Sequence, residues 1–336
     1  MPVDPRPDAP FYVVLNAGSG RTETDLRCTT IRAVLEAAGR ACELEVVHDA
    51  GKLEDAARRM AGRAARDGAI LVAAGGDGTL NTVAHAAVTH GCVFGVLPQG
   101  TFNYFGRRHG IPEDLAAAVR ALLHARVRPV QIGLLNDRIF LVNASVGMYP
   151  HLLEEREHDK RQYGRSRIVA LLSAVKTALR GHRSLRITLE LDGRTRRLRT
   201  PTLFVGNNRL QMEQVGMHPL DHALDEGRLV AIAPRPAGRL RMLGLLVRGA
   251  LGRLGEADDV DAFAFRRMTV RAPLLSARRR LKIATDGEVC RMALPLRFEA
   301  LAFLRAADCD EVQGYVMARP MPLDALEAWL AAATEN

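Results

Sequence analysis

Four short apolar runs constrain this chain most. FYVVLN (11–16), ELEVV (43–47), AILVAA (69–74) and VFGVLP (93–98) are each bounded by polar or glycine-rich sequence. Amphipathic stretches lie between them. KLEDAARRMAGRAARDG (52–68) sets Leu53, Ala56, Ala57, Met60 and Ala64 on one face at helical spacing. Another helical pattern runs from Thr22, with Asp25 at capping-box spacing, to about Arg40, and a third starts near Gly78. Buried strands alternating with helices predict a doubly wound, mostly parallel α/β sheet.

The pattern changes near Pro129. PVQIGLLN and RIFLVNAS read as paired strands, and SLRITLELDGRTRRLRT as a hairpin turning at Asp192-Gly193. TLFVGNN, GRLVAIAP, AFAFRRMTVRAP and RRLKIATDGEVCRM continue the strand pattern, with helical inserts at 151–181 and 237–252. The expected fold class is an N-terminal doubly wound α/β nucleotide-binding domain followed by a β-rich, sandwich-like substrate domain.

Composition narrows the function classes. A net charge of +9 over 336 residues suits an anionic partner: nucleotide phosphates, an acidic membrane surface or nucleic acid. Aromatic content of 5%, without basic–aromatic interleaving, argues against a stacking platform for single strands. The five cysteines are scattered and form no C-x-x-C pair, as in a reduced cytoplasmic chain without disulfides or structural zinc. MPVDPRPDAP carries no basic-then-apolar leader pattern, and no apolar stretch is long enough to span a bilayer.

Three polar loops fall where strands of the first half end: N-A-G-S-G (16–20), G-G-D-G-T (75–79) and P-Q-G-T-F-N (98–103). Ligands of open α/β sheets bind outside the carboxyl ends of strands, and glycine-rich turns there cradle phosphate. The chain has no G-x-x-x-x-G-K-[ST] P-loop and no H-R-D or D-F-G triplet. Gly18-x-Gly20 is half a dinucleotide fingerprint whose third glycine position holds Glu23. Asp77 amid a phosphate loop has two explanations: it holds a cation between itself and the phosphates, or it caps the helix that begins at Gly78.

These motifs, in this order, resemble the diacylglycerol kinase catalytic-domain family, which includes bacterial lipid kinases and sphingosine kinases. The stretches are N-A-G-S-G, G-G-D-G-T, L-P-Q-G-T-F-N-Y-F-G-R (97–107), VNASVG (142–147), VGNN (205–208) and D-G-E (286–288). The resemblance covers roughly residues 8–297. It implies ATP in a cleft between the two domains, surrounded by Asn16, Ser19, Gly20, Gly75, Gly76, Gly78, Thr79, Thr101 and Asn103. It implies Mg²⁺ at Asp77, Asp286 as general base on a lipid hydroxyl, and Glu288 as a second acidic contact. The corresponding domains are 8–129 (ATP-binding), 130–297 (lipid substrate, carrying D-G-E) and a tail, 298–336.

The chain departs from the family pattern at several positions. Ala17 replaces the usual proline. Tyr104 and Gln131 stand where the family usually has aspartates linked to the G-G-D-G aspartate, so a second metal site loses its carboxylates. Val230 ends the D-E-G-R-L-V stretch (225–230) where the family's structural-metal loop is acidic. The tail, with C-D-E-V-Q-G-Y and A-R-P-M-P, resembles the end of EAL-type cyclic-di-GMP phosphodiesterases and not a closing family strand.

The reading is an ATP-dependent lipid kinase that moves the γ-phosphoryl group to a membrane lipid alcohol, diacylglycerol first. Phosphatidylglycerol, a sphingoid base and a polyprenol are further candidates. Two basic-flanked apolar stretches, 160–183 and 235–254, are candidates for transient contact with an anionic membrane surface. The expected location is cytoplasmic, peripheral to the inner face of the membrane. No nucleic-acid partner is expected, and the oligomeric state is open, a homodimer included. The alternative is a non-catalytic nucleotide- or lipid-binding regulatory homologue.

Overall fold

A computed structural model describes residues 6, 8–17, 21–148, 150, 184–272, 280–303, 315–317 and 320–321. The chain divides into two compact units, residues 1–132 with 301–336, and Gly133–Ala300. The stretch 160–183 lies outside the described residues, as do Ser19 and Gly20.

The first unit is built on β1 (Phe11–Asn16), α1 (Arg21–Ala37), β2 (Cys42–Val47), α2 (Leu53–Asp67), β3 (Ile70–Gly75), α3 (Asp77–His90), β4 (Val93–Pro98), α4 (Tyr104–Arg108), α5 (Leu115–Leu123) and β5 (Arg126–Val127). The strands β2, β1, β3 and β4 pair in that order, all parallel. Every residue of β3 is buried, the continuous apolar pattern of a sheet covered on both faces. The covering helices form two pairs, α1 with α5 and α2 with α3. The face predicted for α2 is the buried one, extended by Ala61, and Gly68 ends the helix in the left-handed conformation. Tyr315–Met317 adds a strand between β4 and β5, antiparallel to the first and parallel to the second.

One helix start differs from the capping-box expectation. α1 begins at Arg21, so Thr22 lies inside its first turn. Thr24 ties this turn to the preceding loop instead, donating from Oγ1 to the Ala17 carbonyl at 2.9 Å.

The second unit is a sandwich of two largely antiparallel sheets. One contains β6 (Gln131–Leu135), β7 (Arg138–Phe140), β9 (Leu185–Leu191), β10 (Arg194–Thr200), β14 (Arg267–Arg271) and β17 (Leu296–Phe303). The other contains β8 (Asn143–Gly147), β11 (Thr202–Gly206), β12 (Leu229–Pro234), β13 (Val260–Phe265), β15 (Arg280–Thr285) and β16 (Glu288–Ala293). Their inner faces share one core, with Phe140, Leu189 and Phe298 from the first sheet against Val146, Leu203 and Ile283 from the second. Each such side chain contributes about 1.5–3 kcal/mol on burial. Asp192 and Gly193 turn the β9–β10 hairpin with φ of 44° and 85°, as the sequence predicts. β17 continues to Phe303, beyond the expected end of the substrate domain at residue 297.

Helices Arg209–Gln214 and His218–Asp225 lie against the outer face of the second sheet, where Met212, Met217 and Leu224 meet Val230 and Ile232. Helix Arg239–Ala250 matches the insert expected at 237–252.

Candidate active site

In the first unit, the three loops at the carboxyl ends of β1, β3 and β4 converge. Asn16 ends β1, and its Nδ2 donates to Thr79 Oγ1, in the first turn of α3, at 2.9 Å. Gly75 ends β3. A Cβ there would stand 2.6 Å from that of Thr79, so the threonine fills the space that a side chain at 75 would need. Gly76 and Gly100 meet backbone to backbone: a Cβ on Gly100 would come within 2.6 Å of Gly76 Cα. The Gln99 N–H donates to the Gly75 carbonyl at 2.7 Å and fixes this approach.

The α3 N-terminus opens into these loops. The N–H groups of its first turn, those of Gly78 and Thr79 included, have no carbonyl one turn earlier. The dipole of a 14-residue helix adds a partial positive charge at the same place. This is the chemistry of phosphate binding. Asn103 closes the third loop in the left-handed conformation, φ 47°, and its Oδ1 accepts from the Gly100 N–H at 2.7 Å. Thr101 is exposed on the same loop. The neighbouring Phe102 ring stacks on Tyr104, with centroids 5.6 Å apart.

Asp77 caps a helix, but not its own. Gly76 is the N-cap of α3 and makes no side-chain cap bond. The Asp77 carboxylate instead accepts from the first two N–H groups of α4, Tyr104 to Oδ2 at 3.3 Å and Phe105 to Oδ1 at 3.2 Å. Half-burial raises its pKa above the ordinary carboxylate value. Hydrogen bonds from the backbone of Phe105, Tyr104 and Asn103 act the other way. Among the described residues, the influences on this charge are therefore burial and N–H dipoles. Such a carboxylate fits a single protein ligand to a magnesium ion carried in by nucleotide phosphates. No group of three His, Cys, Asp or Glu side chains that could hold a metal ion gathers among the described residues. Tyr104 contributes an N–H and a ring where a carboxylate would have added charge.

The second unit holds Asp286 at the tip of the β15–β16 hairpin. Asp286 and Gly287 take φ of 46° and 89°, the two positive values of a type I′ turn. The side chain is buried and wrapped by backbone donors. Leu141 N–H donates to Oδ2 at 2.6 Å, while Val142 and Asn143 donate to Oδ1 at 2.9 and 2.8 Å. Three donors in succession fix the carboxylate and stabilise its charge. Glu288 lies across the turn, exposed, in register with Thr285.

A buried polar cluster, for which the sequence reading assigned no roles, supports this loop. Asn207 Nδ2 donates to the Leu141 carbonyl at 2.9 Å, and Asn143 Nδ2 to Gln211 Oε1 at 3.1 Å. Asn208 caps helix Arg209–Gln214 through the Gln211 N–H. The signal was present in VNASVG and VGNN, where asparagine interrupts strands that otherwise read as core.

Residues 10–135 match the diacylglycerol kinase catalytic domain. A YegS-like lipid kinase of Klebsiella pneumoniae is 42% identical over 79 residues, 23% of this chain and 27% of that protein. One from Pseudomonas aeruginosa is 33% identical over 240 residues, 66% of this chain and 73% of that protein. The chain belongs to the diacylglycerol kinase catalytic-domain family. Its match to the first curated relatives spans only about a quarter to under half of their length. The fold of the family recurs in the crystal structure of a diacylglycerol kinase from Bacillus anthracis, with a TM-score of 0.65 at 18% identity, covering 88% of this chain and 97% of that one. No helix among the described residues is long and apolar enough to cross a membrane.

Proposed function

We propose that this member of the diacylglycerol kinase catalytic-domain family is an ATP-dependent lipid kinase that phosphorylates the hydroxyl of a diacylglycerol-like membrane lipid. The observation that carries the reading is the meeting of Gly76 with Gly100 beside the α3 N-terminus. Side chains are absent where the two backbones approach, and a helix dipole faces the gap, which suits polyphosphate.

On this reading the residues from 8 to 129 form the ATP-binding domain, and those from 130 to 297 handle the lipid. Asn16 and Thr79 hold the first and second loops together, and the loop of Thr101 and Asn103 closes over the phosphates. Ser19, Gly20 and Gly78 belong to the same cradle. Asp77 would hold a magnesium ion carried in with the nucleotide, which would supply positive charge to the transferring phosphoryl group. Asp286 orients the lipid hydroxyl and takes its proton late in transfer. The three N–H donors on Asp286 suit this role, since a loose phosphoryl-transfer transition state asks for orientation more than for a strong base. Glu288 is a second acidic contact beside the hydroxyl. The enzyme works in the cytoplasm, in transient contact with an anionic membrane surface.

A second reading, a regulatory homologue that binds nucleotide or lipid without turnover, is favoured by Tyr104 in place of an acid beside Asp77. Incubation with γ-labelled ATP, Mg²⁺ and vesicles of mixed bacterial lipids separates the two. The kinase reading predicts label in the lipid fraction. Nucleotide binding without label in any lipid of a broad panel would leave the regulator.

A further inference from the structure

Helix Arg239–Ala250 is apolar on two opposite faces. One face is buried, with Met242 and Leu245 packed against Met148 and Ala257. The other carries Leu240 and Val247 and is continued by Leu251 at the C-cap; these are 83%, 45% and 68% exposed. Their spacing of seven and then four residues aligns them in one stripe. Gly244 lies on the same stripe and leaves open space where a side chain would stand. Five large hydrophobic side chains are exposed among the described residues, and three of them are these. Single exposed leucines need no explanation, whereas a contiguous apolar patch marks a contact surface.

The segment that carries the stripe has charge of one sign, and Asp259 beside Arg241 is a carboxylate at its edge. From Gly227 to Gly255 the chain contains no Asp or Glu, and it contains six arginines. Arg241 and Arg248, seven residues apart, flank the stripe on one side and are exposed. The ion pair of Arg241 with Asp259 spans 4.0 Å, and Arg248 has no carboxylate partner among the described residues.

We propose that this face docks the protein on an anionic lipid surface. The helix lies in the plane of the interface, with Leu240, Val247 and Leu251 among the upper acyl chains and Arg241 and Arg248 against lipid phosphates. The stripe runs about 17 Å along the helix at the α-helical rise. The lipid occupant is favoured over a second copy by charge. Two copies meeting on this stripe would bring their arginines together, while phosphate headgroups complement them. The inference rests on the lipid-kinase reading for its purpose, since a bilayer-embedded substrate requires docking, but its test does not require turnover.

The full chain is sedimented with phosphatidylcholine vesicles, with and without phosphatidylglycerol. Two variants run beside it: Leu240→Gln/Val247→Gln/Leu251→Gln and Arg241→Glu/Arg248→Glu. All five side chains are exposed, so unchanged melting temperatures are expected. Wild type should bind the anionic vesicles, and each variant should bind at least tenfold more weakly. Turnover of a short-chain, water-soluble diacylglycerol should stay unchanged in both. Wild-type vesicle binding by both variants would overturn the proposal. So would a dimer that the triple variant converts to monomer without loss of vesicle binding. Vesicle binding without turnover of the soluble substrate would uphold the docking face and count against the kinase reading alone.

Discussion

Asp286 and Asn143 exchange two hydrogen bonds. The Asn143 N–H donates to Asp286 Oδ1 at 2.8 Å, and the Asp286 N–H donates to the Asn143 carbonyl at 2.9 Å. The hairpin tip is thereby locked onto the start of β8, and the carboxylate serves structure as well as chemistry.

This double role separates two substitutions. Asp286→Ala leaves three buried N–H groups unpaired, each at a cost of about 1–3 kcal/mol. Asp286→Asn keeps an acceptor and tolerates the left-handed backbone. Chemical denaturation should find the alanine variant several kcal/mol less stable than wild type, with the asparagine variant between them (about 1–3 kcal/mol below wild type).

Gly100→Ala tests the meeting of the phosphate loops. Its Cβ would overlap Gly76 Cα at 2.6 Å and Asn103 Oδ1 at 2.9 Å. The strain should cost about 1–3 kcal/mol and push the loops apart. The expected result is a loss of ATP affinity larger than the loss of stability would explain, read by nucleotide titration of the folded variant.

Burial raises the Asp77 pKa, and linkage sets the sign of its pH effect. Between the unfolded value and the raised folded value, the folded state binds more protons than the unfolded state. Stability from this group therefore falls as pH rises through that window and is greatest below the unfolded value. Relative to Asp77→Asn, wild type should gain stability on acidification from neutral pH toward pH ~4. Paired melting curves at the two pH values check this. Added Mg²⁺ and ATP should shrink the difference at neutral pH, because a bound cation favours the carboxylate.

Tyr104→Asp restores an acid at the N-terminus of α4, next to the Asp77 contact. It should lower the Mg²⁺ concentration needed for half-maximal turnover. An unchanged metal requirement would show that the Tyr104 position takes no part in metal binding.

Local patterns were legible in the sequence. The apolar runs predict β1 to β4, Leu53 to Ala64 predict the buried face of α2, and Asp192-Gly193 predicts its hairpin. Contacts far apart in the chain were not. Asp77 caps α4 at residues 27 and 28 positions away, and Asp286 reaches donors 143 to 145 positions away. No periodicity reports such pairs. The strand at Tyr315–Met317 joins β4 and β5 from the far end of the chain for the same reason. Helix Arg239–Ala250 shows a further limit: the sequence displays its apolar residues, but packing alone decides that Met242 is covered and Leu240 is not.

The most direct measurement is phosphoryl transfer from γ-labelled ATP to a water-soluble diacylglycerol by wild type and Asp286→Asn, both verified as folded. Wild type should yield labelled lipid and the variant at least about a hundredfold less, with ATP binding retained in both. Equal transfer by the two proteins, or none by a wild type that binds ATP, would contradict that prediction.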